Sequence, residues 1–99
     1  MAARTSSART TKAKRGRPVR VTKGVLEKSK RRIPGRLSQI RGPRSQRSFA
    51  RELGVFQQNV NRYENGTTPH ADFLITLALK ENVSLDWLLL GRGKPYRRA

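Results

Sequence analysis

The positive charge of this 99-residue chain is concentrated near its N-terminus, which limits where a folded core can form. Residues 1–44 carry 15 Lys and Arg side chains and one acid, whereas residues 45–99 carry 8 basic and 5 acidic side chains. The first Val, Leu or Ile is Val19. Like charges resist compaction, and a segment this poor in apolar residues cannot offset its chain entropy by burial. We therefore predict a disordered basic arm over residues 1–32.

The composition narrows the possible functions. A net charge of +17 attracts polyanions such as nucleic acid. With no cysteine and one histidine, the chain has little material for a metal site, and we expect no cofactor. No acid pair, nucleophile–base set or phosphate loop is present in the sequence, so we do not expect an enzyme or a small-molecule ligand. No apolar run is long enough for a membrane span, and we expect a cytoplasmic, nucleoid-associated protein.

Beyond the arm, apolar residues recur every three or four positions, which is typical of one face of an α-helix. The pattern predicts an all-α fold, a compact five-helix domain over residues 33–91, followed by a short basic tail at 92–99. We expect Pro34 only in the first turn of the first helix, where its missing N–H is harmless. The predicted helices run from about Ile33 to Arg41, Gln46 to Leu53, Gln57 to Glu64, from just after Pro69 through Ala78, and Leu85 to Leu90.

The second and third predicted helices are joined by the turn Gly54-Val55-Phe56, as in a helix-turn-helix. Residues 45–66, SQRSFARELGVFQQNVNRYENG, and residues 83–91, VSLDWLLLG, closely resemble the Cro/C1-type (XRE-like) helix-turn-helix family of phage and bacterial repressors. The resemblance covers about residues 33–93. It implies a lambda-repressor-like domain that binds double-stranded operator DNA, commonly as a homodimer on a two-fold site.

Polar side chains on the third helix suit base recognition. Val60 and Tyr63 fix its buried side, so Gln58, Asn61 and Arg62 project from the other. Gln and Asn can bridge N6 and N7 of adenine, and Arg can bridge O6 and N7 of guanine. The resemblance independently implies base contacts at Gln57 and Gln58. We predict base contacts by Gln57, Gln58, Asn59, Asn61 and Arg62; the alternative is an ordinary solvated face.

Further polar residues are expected to bind the DNA backbone, which sets register and affinity but not sequence. Gln46 opens the second helix, where free N–H groups favour a phosphate oxygen, and the resemblance implies that its side chain clamps the backbone. The predicted phosphate-contacting residues are Arg44, Gln46, Arg47, Asn65, Thr67 and Thr68. For Arg47 and Thr68, a plain surface position is the alternative.

Phe56 departs from the family pattern, in which a Ser or Thr usually caps the third helix. Phenylalanine cannot accept the N–H bonds of the first turn, at a cost of about 1 kcal/mol. Asn59 or a water molecule would replace the cap, or the ring packs in the turn or against a thymine methyl. Of these, we expect the ring to pack into the core.

The arm contains Arg15, Gly16, Arg17 and Pro18, which resemble the core of an AT-hook lying in a narrow A·T-rich minor groove. The alternative is an unspecific basic arm that binds phosphates.

Four apolar residues, Phe73, Leu79, Leu89 and Leu90, exceed what so small a core needs. Exposed together, they would form an interface for a two-fold homodimer.

Taken together, these features predict a sequence-specific DNA-binding transcriptional regulator that represses by occupying its operator. Two other interpretations stay open. One is an antitoxin-like interaction protein whose main partner is another protein. The other is an architectural nucleic-acid binder dominated by its arm.

Overall fold

The computed structural model describes residues 20–97, which form five α-helices and one isolated antiparallel β-bridge. The predicted all-α, five-helix fold is confirmed. The second, third and fifth helices have the bounds expected from the sequence. The helices are α1 (Lys23–Arg41), α2 (Gln46–Leu53), α3 (Gln57–Glu64), α4 (Ala71–Glu81) and α5 (Leu85–Leu90).

Helix α1 begins at Lys23, ten residues before the expected start. The expectation that Pro34 lies in the first turn is wrong, because Pro34 lies inside the helix. Thr22 caps the new start, its side-chain oxygen accepting a hydrogen bond from the Val25 N–H at 3.2 Å. On the N-terminal side of the proline, Ile33 is buried in the core, so packing outweighs the local cost of the proline. Residues 23–32, assigned to the arm from the sequence, are therefore helical.

The core is built from the apolar faces of all five helices and the loop between α4 and α5. Helix α1 packs against α3 and α5, and α2 packs against α3 and α4. The buried side chains are Ile33, Leu37, Ile40, Phe49, Ala50, Leu53, Val60, Tyr63, Phe73, Leu77, Val83 and Leu88.

Two of the four residues expected in an exposed apolar patch belong to this interior instead. Phe73 is buried, with its ring centroid 4.7 Å from that of Tyr63, and Leu89 is half-buried against the core. Phe73 shares a face of α4 with Leu77, four residues later, which explains its burial. Leu79 and Leu90 are exposed as expected.

Short-range signals in the sequence fix how α3 follows α2. Ser45 caps α2, its Oγ accepting a hydrogen bond from the Ser48 N–H at 3.0 Å. Gly54 ends α2 with a φ of 75°, a left-handed conformation that favours glycine. The Gly54 N–H donates to the carbonyls of Ala50 and Arg51. A tight turn therefore carries the chain directly into α3.

The described part of the predicted basic tail pairs with the loop between α4 and α5. Val83 and Tyr96 form the antiparallel bridge. The Ser84 N–H donates to the Pro95 carbonyl at 2.8 Å, and the Arg97 N–H donates to the Asn82 carbonyl at 2.9 Å. These residues thus extend the folded unit to residue 97.

Two leucines on α4 test this assignment of faces. Leu77 is fully buried, whereas the Leu79 side chain is 75% exposed. We expect Leu77→Ala to lower the free energy of unfolding by about 2–5 kcal/mol, because it leaves a cavity. The matched control Leu79→Ala should change it by less than about 0.5 kcal/mol. Urea denaturation of the full chain measures both, and equal losses of stability would contradict the faces described here.

Candidate nucleic-acid interface

Helix α3 presents its polar side chains to solvent. Gln57, Gln58, Asn61 and Arg62 are exposed, and Asn59 is half-buried. On the opposite side, Val60 and Tyr63 are buried, as their spacing predicts. The five residues predicted to contact bases therefore share one helix, four of them freely accessible.

A shallow surface groove brings several predicted contact residues together. It is lined by Gln58, Asn61, Arg62, Asn65 and Thr67. The Asn65 side-chain amide donates to the Asn61 carbonyl at 2.7 Å and also to the Asn61 side-chain oxygen, which orients both amides. Donors and acceptors suited to base edges thus adjoin residues suited to the DNA backbone.

A second groove lies beside the first and was not predicted from the sequence. It is lined from α1 by Glu27, Lys30, Arg31 and Pro34, and from the end of α3 and the residues after it by Glu64, Asn65 and Gly66. Asn65 lines both grooves. Because residues 23–32 were expected to be an irregular arm, their position beside α3 was missed. The available signal was Thr22, a good N-cap residue ahead of a run of helix-forming side chains.

The predicted phosphate contacts divide into exposed and internally bound side chains. Arg47, Thr67 and Thr68 are exposed. Arg44 is half-buried and pairs with two carboxylates within the fold.

The bonds of Arg44 hold the start of α2 against α4. Its Nη1 lies 2.7 Å from Glu52, and its Nη2 lies 3.1 Å from Glu81. Its guanidinium also stacks over the Phe49 ring at 4.7 Å from the centroid. A phosphate approaching Arg44 would have to compete with both acids.

Gln46, expected to clamp the DNA backbone, is bound to the carboxylate of Glu64. The Glu64 side chain is 6% exposed. Its Oε1 accepts hydrogen bonds from Gln46 Nε2 at 3.1 Å, Ser38 Oγ at 3.2 Å and Arg41 Nη2 at 3.1 Å. Its Oε2 accepts from Arg41 Nε at 2.8 Å. This cluster fastens the end of α3 to α1 and to the first residue of α2.

The environment of Glu64 favours its charged form. Burial by itself raises the pKa of the Glu64 carboxyl, but hydrogen bonds from Arg41, Gln46 and Ser38 and the charge of Arg41 outweigh it. The pKa of Glu64 therefore lies below its ordinary value. The hydrogen bond to Glu64 in turn raises the pKa of Arg41.

Phe56 does not pack in the core, and that expectation is wrong. Its side chain is 77% exposed, and α3 has no side-chain cap at this position. Within the short turn it is Val55 that faces inward, where it packs against the core. The next residue is therefore left at the surface.

The suggested minor-groove segment Arg15, Gly16, Arg17 and Pro18 lies outside the described residues, so it stays a prediction. Within residues 20–97, no helix is apolar enough over a sufficient length to cross a membrane, and no cluster of three or more potential metal ligands occurs.

A family model for the bacteriophage CI repressor helix-turn-helix domain matches residues 34–96. The chain belongs to this family. The match confirms the resemblance inferred from residues 45–66 and 83–91, and it identifies a DNA-binding helix-turn-helix of the repressor type, which is not an enzyme class. It includes the α2–turn–α3 unit and the segment paired with the α4–α5 loop, but it begins only at Pro34. The first eleven residues of α1 precede it. No solved structure matched the chain.

The Glu64 cluster predicts a pH-dependent stability. Glu64→Gln should lower the free energy of unfolding by about 1.5–3 kcal/mol at pH 7, because it removes the charge that Arg41 binds. The folded pKa of Glu64 is lowered, so the carboxylate contributes fully above its unfolded pKa of about 4.3. That contribution is lost as the pH falls through the lower folded value. Urea denaturation at a series of pH values measures the difference between wild type and variant.

The matched control is Glu52→Gln. Glu52 also pairs with an arginine, but its side chain is 51% exposed, so its loss should cost less than about 1 kcal/mol. Two results would contradict the role given to the Glu64 cluster. One is an equal loss in the free energy of unfolding for Glu64→Gln and Glu52→Gln, and the other is a loss for Glu64→Gln that stays the same at low pH.

Proposed function

We propose that this protein is a sequence-specific transcriptional regulator that represses by occupying its operator, with α3 in the major groove. The observation that carries the proposal is the exposed polar face of α3 within a phage repressor helix-turn-helix domain. Recognition helices of this motif read base edges mainly through their N-terminal residues. No covalent chemistry is required, because occupancy of the site itself excludes competing proteins.

Base recognition rests on the side chains of α3. Gln57 and Gln58 lie at its start, and Asn61 and Arg62 follow one turn later. The amides match the N6 and N7 atoms of adenine, and the guanidinium matches O6 and N7 of guanine. Asn59, half-buried, contributes from the edge of this face.

Backbone contacts flank the reading face and set its register. Arg47, Thr67 and Thr68 are exposed, and Asn65 lines the groove beside α3. Gln46 binds a phosphate oxygen with the free N–H groups of the first turn of α2, while its side-chain amide is held by Glu64. Arg44 supports these contacts by fixing the start of α2 through its ion pairs.

The basic N-terminal region adds affinity that does not depend on sequence. Lys30 and Arg31 lie in a groove that shares Asn65 with the reading face, so a duplex on α3 would bring its backbone near them. Each phosphate that a cation neutralises releases counterions, which favours binding at low salt. The segment Arg15-Gly16-Arg17-Pro18 adds further contacts, either to phosphates or to an A·T-rich minor groove, and only the second of these would depend on sequence.

A two-fold homodimer on a two-fold operator completes the proposal, acting in the cytoplasm at the nucleoid. Ile75, Leu79 and Leu90 are large apolar side chains exposed on α4 and α5. They offer the apolar surface that a symmetric contact needs.

The first test asks whether α3 reads sequence. The full chain is incubated with a randomised duplex pool, and bound duplexes are sequenced. We expect one motif to be selected, and we expect the Gln57→Ala/Gln58→Ala variant to lose it, because each bidentate base contact contributes about 1–3 kcal/mol of discrimination. Gln39→Ala, an exposed glutamine on α1, is the matched control and should keep the motif. A wild-type chain that selects no motif would favour an architectural or protein-binding role.

The second test concerns the helical basic extension. Lys30→Gln/Arg31→Gln should weaken binding to all duplexes alike and leave the selected motif unchanged. The slope of log affinity against log salt should decrease by about 0.9 for each phosphate that the variant no longer neutralises. The charge-matched control Arg92→Gln/Lys94→Gln alters the exposed segment near the α4–α5 loop and should leave the slope nearly unchanged. Equal effects of the two variants would point to net charge rather than to a contact.

A further inference from the structure

Phe56 is unfavourable for the isolated fold in two ways. It occupies the N-cap of α3 without providing a side-chain hydrogen bond, and it leaves 77% of an aromatic side chain in water. A Ser or Thr at the same position would provide the cap, worth about 1 kcal/mol, and expose less apolar surface. A residue that breaks a local rule without local compensation points to a function.

The position of Phe56 is fixed by the first turn of α3. Its carbonyl accepts hydrogen bonds from the N–H groups of Asn59 at 3.0 Å and Val60 at 3.4 Å. It directly precedes Gln57 and Gln58, which are exposed at the end of the helix that enters the groove. The exposed ring therefore accompanies the side chains that read bases.

The major groove offers one apolar group, the 5-methyl of thymine, among otherwise polar base edges. The amides and the guanidinium of α3 match the polar edges, but these polar groups form no hydrogen bond with a methyl. A phenyl ring does, because the contact removes apolar surface of both groups from water.

We propose that Phe56 is a specificity-determining residue that contacts the 5-methyl group of a thymine beside the base pairs read by Gln57 and Gln58. The inference rests on the proposed role of α3. It assigns to this chain a preference for thymine that the polar side chains of α3 do not provide. The cost of the missing cap is then offset when the operator is bound.

The experiment removes the methyl group from the DNA. In the duplex selected by the full chain, each thymine is replaced in turn by uracil, which differs only by the 5-methyl. At one position per half-site, wild-type affinity should fall about fourfold, as expected for one buried methyl group. Phe56→Ala should bind the thymine and uracil duplexes equally, whereas Phe56→Leu should keep part of the difference.

Two further variants separate the contact from folding. Phe56→Ser supplies the missing cap, so it should unfold at higher urea concentration than wild type and still fail to distinguish thymine from uracil. Tyr96→Ala, which removes another exposed aromatic side chain, should retain the full thymine preference. In a further measurement, each cytosine of the same duplex is replaced in turn by 5-methylcytosine, which shows whether the site accepts any pyrimidine methyl group or only that of thymine. An increase in affinity limited to positions beside the base pairs read by Gln57 and Gln58 would support the contact.

Three results would overturn the inference. One is a wild-type chain indifferent to uracil at every position. Another is a thymine preference that survives in Phe56→Ser. The third is a Phe56→Ala variant that changes the sedimentation of the free protein but not its response to uracil, which would place the ring between two copies of the chain. In each case, a motif that still requires Gln57 and Gln58 leaves the reading role of α3 intact.

Discussion

The arrangement of α1, α2 and α3 depends on the hydrogen bonds that the Glu64 carboxylate accepts. It accepts hydrogen bonds from Ser38 and Arg41 of α1 and from Gln46 of α2, and it is itself the last residue of α3. A negative charge at a helix C-terminus is opposed by the helix dipole, and burial adds to the cost. The carboxylate is tolerated because donors surround it. Apolar packing alone would hold these helices together. The directional hydrogen bonds of Glu64 also fix the orientation of α3 relative to α1 and α2.

Arg44 fixes the other side of α2 through ion pairs. Its guanidinium pairs with Glu52 and Glu81 and covers Phe49, so the start of α2 is held towards α4 by Arg44 and towards α3 by Gln46. The consequence concerns charge as well as geometry. Arg41 and Arg44 pair with carboxylates within the fold, whereas Lys30, Arg31 and Arg47 are exposed. Two of the acids, Glu64 and Glu81, are thus held in ion pairs within the fold.

Local rules predicted much of this fold, and the exceptions have physical causes. Ser45 and Gly54 mark the ends of α2 because capping and a left-handed turn depend on only a few neighbouring residues. Pro34 misled the prediction of α1, because the burial of Ile33 is a tertiary effect that outweighs propensity. The same limitation applies to Phe56, since a pattern of apolar residues does not distinguish an inward ring from one left at the surface of a turn. The groove lined by Lys30 and Arg31 was missed together with the extension of α1, since it exists only where the longer helix passes the end of α3.

The extension of α1 changes what a basic N-terminus can contribute to binding. Residues 23–32 span about 15 Å at the rise of an α-helix, and they precede the part of the chain that matches the repressor family. An irregular arm loses backbone freedom at every residue when it settles on DNA, and that entropy subtracts from the electrostatic gain. Residues 23–32 of α1, which lie between the Thr22 cap and the buried Ile33, have already lost this backbone freedom during folding. In the proposed complex with DNA, their cations would approach the duplex at set positions relative to α3, so the affinity they add would be coupled to the register in which the bases are read.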